Sequence, residues 1–83
     1  MRGSSKNLAV AFILINVDAG REKEIVQQLK SIANVVDVYF VYGVYDIVSK
    51  VEAQSQKALK ETITSKIRQL EGIRSTQTLM VME

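Results

Sequence analysis

Apolar and polar positions alternate along this chain in blocks whose spacing changes from one block to the next. The run Ala11 to Val17 is rich in branched and aromatic residues and too short for an ordinary helix, so it reads as a strand, ended by Asp18-Ala19-Gly20. Ile25, Leu29 and Ile32 then recur at i, i+4 and i+7, with Glu22 and Glu24 near a helix N-terminus. That spacing predicts a helix over about 20–32, capped by Asp18 and ended at Asn34. Val35 to Tyr42 is a second β-rich run, stopped by Gly43 and resumed after Asp46 as Ile47 to Val51, and the pair predicts a hairpin. A second helix starts at Ser55, a good N-cap, and carries Leu59, Ile63, Ile67 and Leu70 on one stripe, with Gly72 as its C′ residue. A last strand covers about Arg74 to Met82.

The order β-α-β-β-α-β implies two βαβ halves joined by a hairpin. Right-handed crossovers then put both helices on one face of a four-stranded antiparallel sheet, a ferredoxin-like α+β sandwich. One sheet face of such a sandwich meets the helices and the other meets water, so its strands should alternate apolar with polar. The first strand does not: Phe12 and Leu14 lie on one side, Ala11, Ile13, Ile15 and Val17 on the other. In the last strand Leu79 and Val81 oppose Met80 and Met82. Strands apolar on both sides call for a cover on the second face. The expected cover is another copy of the chain, docked sheet to sheet as a dimeric α+β barrel through Phe12, Leu14, Met80 and Met82.

Composition narrows the chemistry. The 83 residues include no Cys, His, Pro or Trp. Disulfide staples, ordinary zinc sites and the Ser-His-Asp, Cys-His and CxxC chemistries are thereby excluded, and no cofactor or metal is expected. A chain of this size draws only about 3–5 kcal/mol from one core, which again favours self-association. Setting aside Arg2 and Lys6 leaves nine basic against nine acidic residues of mixed placement, which argues against direct nucleic-acid binding. The apolar run Leu8 to Ile15 is far short of the roughly 20 residues a membrane span needs, so the expectation is a cytoplasmic protein with no membrane partner. Residues 1–10, opening Met1-Arg2-Gly3-Ser4, read as a flexible tail or expression tag, and residues 11–83 as the domain.

Four of the five aromatic residues, Tyr39, Phe40, Tyr42 and Tyr45, crowd the hairpin. One reading is a small-molecule pocket. Gly43 permits close backbone approach to a carboxylate and Asp46 offers a charge for an ammonium group, which together suit an amino acid. The other is a plain turn, with Asp46 capping it locally and the tyrosines packing across strands.

The segment Gly43-Val44-Tyr45-Asp46, followed by a strand, a helix and then Gly72-Ile73-Arg74-Ser75-Thr76-Gln77-Thr78, resembles the effector-binding (RAM) domain of the Lrp/AsnC transcription regulators. Ile15-Asn16-Val17-Asp18-Ala19-Gly20-Arg21-Glu22 is similar to that family's first strand and turn, and the likeness spans Phe12 to Met82. The resemblance implies a domain that binds amino acids between dimers and assembles into an octamer or similar ring. It assigns Gly43, Tyr45 and Asp46 to the ligand loop and Thr76 and Thr78 to hydroxyls of the last strand. Tyr42, also expected among the ligand residues, stands where the family often has Thr. Family regulators carry an N-terminal helix-turn-helix domain, for which the ten residues before the first strand are too few. The expectation is a stand-alone RAM domain that senses amino acids and modulates full-length regulators.

Other classes share the topology. An ACT-like amino-acid sensor and a purely structural oligomerisation module remain alternatives, as does a small dimeric α+β barrel enzyme using Tyr45 with Asp46. An RNA-recognition module is disfavoured because the first strand offers only Phe12 for stacking and the third strand none.

Overall fold

A computed structural model describes residues 8–82. Its elements run β1 (Ala9–Val17), α1 (Glu22–Lys30), β2 (Val35–Phe40), β3 (Ile47–Ala53), α2 (Gln56–Thr62, continued by a π-helical turn Ile63–Ile67) and β4 (Ile73–Met80). The four strands form one antiparallel sheet in the order β2-β3-β1-β4, the ferredoxin-like arrangement. The expected tail lies largely outside the described residues, and its last two positions, Ala9 and Val10, already pair with Ala53 and Glu52 of β3.

The core lies between the sheet and the two helices. Ala11, Ile13, Ile15 and Val17 of β1 and Ile47, Val51 and Ala53 of β3 face Ile25 and Leu29 of α1 and Leu59, Ile63 and Ile67 of α2, all buried. Each such branched side chain contributes about 1.5–3 kcal/mol when taken from water. The alternation in β1 is the one read from sequence, with Phe12 and Leu14 half-buried on the far side.

Helix boundaries differ from the expectation for local reasons. Arg21, not Asp18, occupies the N-cap of α1 and no side chain caps it; the Asp18 carbonyl instead accepts the Arg21 amide at 3.1 Å in a preceding turn. Ser55 does cap α2, its Oγ accepting the Ala58 amide at 3.1 Å. Regular helix then stops at Thr62 and widens, the Arg68 amide reaching back to the Ile63 carbonyl. The cause is a run of three β-branched residues, Thr62-Ile63-Thr64, in which both hydroxyls bond the carbonyl four residues back. Gly72 consequently lies beyond the helix end. With φ +97° it shapes the turn into β4, where its carbonyl accepts the Asp18 amide at 2.7 Å.

One interface residue is misassigned by strand counting. Met80 pairs with Ala11 and packs against the core, whereas Leu79 pairs with Phe12 on the open face. The register of β4 follows its hydrogen bonds to β1, which place the odd-numbered residue beside Phe12. Met82 lies past the end of β4 and is largely exposed. The open face therefore carries Phe12, Leu14, Val48, Tyr39 and Leu79, with Lys50 Nζ 6.0 Å from the Phe12 ring centre.

Candidate functional site

The loop between β2 and β3, residues 41–46, is closed by the Val41 amide donating to the Asp46 carbonyl at 2.9 Å. Asp46 is the anchor of this loop. Its amide donates to the Ile15 carbonyl at 3.0 Å, extending the β1–β3 ladder by one bond. Its carboxylate Oδ2 accepts the Val17 amide at 3.0 Å, supplying the acceptor that β3 would have provided had it continued. At the same point the β1–β4 pairing slips between Asn16 and Val17. Asp46 thus holds the turn locally, as the plain-turn reading expects, and its side chain stays partly exposed.

Gly43 adopts φ +150° with open space where a Cβ would stand. That backbone region is open chiefly to glycine. On either side of it Tyr42 and Val44 are 105% and 84% exposed, so the tip projects from the fold. Beneath the tip lies a cleft of about 700 Å³ lined by Glu22, Phe40, Val41, Tyr42, Gly43 and Asp46.

The six expected ligand residues do not converge in one chain. Tyr42, Gly43 and Asp46 share this cleft. Tyr45 turns to the open sheet face, its hydroxyl donating to Gln77 Oε1 at 3.2 Å. Thr76 lies in a separate groove with Arg68, Arg74 and Ser75, and Thr78 in another with Lys60, Ile63 and Met80. Both threonines pair with residues of β1 whose side chains face the helices, so they occupy the edge of the helix side. Sequence reasoning treated Glu22 only as a favourable helix-start acid and missed it as a cleft residue. The signal that could have found it is the crossover rule, which brings the start of α1 over the sheet end where β1 stops.

The adjoining loop is braced by Arg21. Its guanidinium donates from Nε to Glu24 Oε1 at 3.3 Å and from Nη2 to Oε2 at 2.8 Å, and reaches Glu71 at 4.0 Å. This contact holds the Glu24 carboxyl below the usual carboxylate range and raises Arg21. The Arg21 side chain also packs over Gly72, where an added Cβ would stand 3.1 Å from Nε. The turn before α1 and the turn before β4 are tied together, next to the cleft wall that Glu22 supplies.

Comparison with known proteins decides the family. The sequence model of the Lrp/AsnC ligand binding domain matches residues 10–83. This chain belongs to the Lrp/AsnC ligand-binding domain family. Among its relatives, the HTH-type transcriptional regulator FL11 of Pyrococcus furiosus is 32% identical over 74 residues, covering 89% of this chain and 48% of that protein. This Lrp/AsnC domain chain thus spans about half the length of the curated relatives it matches. The crystal structure of the hypothetical protein PHS023 from Pyrococcus horikoshii superposes with a TM-score of 0.85 at 39% identity, covering 90% of each chain. E. coli AsnC superposes with a TM-score of 0.87 at 30% identity, covering all of this chain and 58% of its own. The relatives are regulators, and among the described residues no helix is long and apolar enough to cross a membrane.

Proposed function

We propose that this Lrp/AsnC domain is a non-enzymatic sensor that binds an amino-acid effector in the cleft under the 41–46 loop. One observation carries the reading. Asp46 is held in place by Val17 and Ile15 while its second carboxylate oxygen remains for an ammonium group, beside a glycine whose backbone a ligand carboxylate can approach. The two threonines of β4 lie in other grooves of the same chain, which supports a site completed by a second copy.

The open sheet face supports assembly. Phe12, Leu14, Tyr39, Val48 and Leu79 make an apolar patch on the face opposite the helices, and a second copy docked sheet to sheet would cover it. Dimers of this kind would build the octamer or similar ring. Co-assembly with full-length regulators of the family, in the cytoplasm and without DNA contacts of its own, is the proposed route to transcription.

A thermal-shift panel of the twenty amino acids tests this. A ligand at about 100 times its dissociation constant adds roughly 2.7 kcal/mol to the native state. A selective shift that Asp46→Asn abolishes is expected. A panel with no shift would leave a purely structural oligomerisation module in its place.

A further inference from the structure

We propose that Lys50 and Glu52 set the register of the sheet-to-sheet dimer and admit only partners that carry the same two charges in the same order, a reading that rests on that dimer being the assembly. Both side chains stand on the open face, opposite Phe12 and Val10 of β1. Lys50 is the middle residue of β3, one of the two central strands, so the pair interrupts the apolar patch where a docked copy would press on it. The two side chains are 32% and 28% exposed and lie 3.5 Å apart. Asp37 of β2 flanks Lys50 on the same face, and Arg74 stands at the far end beside Asn16 and Ser75.

Covering this face takes water from an ammonium and a carboxylate, which is tolerable only where each meets the opposite charge. A twofold dimer presents the same patch twice, so each copy brings one positive and one negative group. Placing Lys50 of each copy beside the partner's Glu52 closes an alternating ring of these charges. A slide along β3 that sets like against like is disfavoured, because such juxtaposition is costly once desolvated. The apolar contacts of Phe12, Leu14, Val48 and Leu79 fit several registers, and the charged pair singles one out. A chain with the order reversed, acid at 50 and base at 52, meets like with like in that register and is refused.

Subunit exchange followed by native mass spectrometry tests the selection. Both proteins carry Asp37→Asn, so that no acid flanks position 50 across the strands, and one of them, isotope-labelled, also carries Lys50→Glu with Glu52→Lys. The swap keeps the ion pair within its own chain, so each protein should fold and dimerise with itself. Mixed dimers should be about tenfold rarer than in a control that mixes labelled and unlabelled chains without the swap. Mixed dimers at or above the control level overturn the selection, as does a swapped chain that folds and stays monomeric. Lys50→Glu and Glu52→Lys, made singly, keep the question decidable if the swap misfolds: each should pair poorly with itself and well with the other, and no rescue on mixing overturns the selection. If Phe12→Asp dissociates the dimer while swapped and unswapped chains mix freely, the sheet face stands as the interface and only the selection falls. A dimer that survives Phe12→Asp, or an unswapped chain that is monomeric throughout, overturns both.

Discussion

The carboxylate of Asp46 accepts the backbone amide of Val17 from across the end of the sheet, so a loop side chain completes a strand ladder. Two substitutions separate its two duties. Asp46→Asn keeps an oxygen for the Val17 amide and should fold with near wild-type stability while losing amino-acid binding. Asp46→Ala strands a partly buried amide and should cost about 1–2 kcal/mol. For a domain of this size that lowers the melting midpoint by roughly 4–8 °C per kcal/mol. Equal midpoints for the two variants would remove the ladder role from Asp46.

Gly72→Ala should destabilise by about 1–2 kcal/mol, and most of that cost should persist in an Arg21→Ala background. The positive φ penalises any Cβ, whereas the 3.1 Å contact is with the far end of a side chain that can move aside. Denaturant melts of the four proteins in the cycle decide it. A cost that vanishes in the Arg21→Ala background would show the contact, not the backbone, to be limiting.

Phe12→Asp and Leu79→Lys should each shift the sedimentation coefficient to that of a monomer, because both place charge on the open sheet face. Met80→Ala should act differently, lowering the stability of the individual chain through its contacts with the core. Unchanged sedimentation of Phe12→Asp would count against sheet-to-sheet pairing.

The Arg21–Glu24 pair gives a pH signature. Its hydrogen bond lowers the Glu24 pKa in the native state, so its stabilisation is present above the unfolded carboxylate value of about 4.3 and is lost as pH falls through the lower native one. The midpoint gap between wild type and Glu24→Gln should therefore stay constant from pH 8 to 5 and close on further acidification. With no histidine in the chain, no side chain of ordinary pKa titrates between pH 6 and 8, and both midpoints should be flat there. A gap that widens in acid would contradict the pairing.

The sheet and its order were legible because β1 alternates so strictly and because Asn34, Gly43 and Ser55 punctuate the chain where the backbone turns. Helix ends were less legible. The Asp18 cap and the extension of the second helix to Leu70 both follow from propensity, and both yielded to hydrogen bonds that sequence does not display: the Asp18–Gly72 link and the hydroxyl back-bonds of Thr62 and Thr64. The facing of Met80 was lost because register in an edge strand is set by its partner, and a shift of one residue exchanges its faces. At the candidate site, Gly43 and Asp46 could be read from residue type, but Glu22 could not, since its place beside them depends on how the crossover folds back.

On the proposed reading one side chain at position 46 serves both the ladder and the ligand, so a lineage that altered it to suit a new effector would fray the sheet at the same stroke. Tyr42 and Val44, projecting from the loop tip and almost free of contacts, carry no such double obligation. On that reading a change of effector preference is open at those two positions, while the acid between the loop and β3 is held to its place by the bond to Val17.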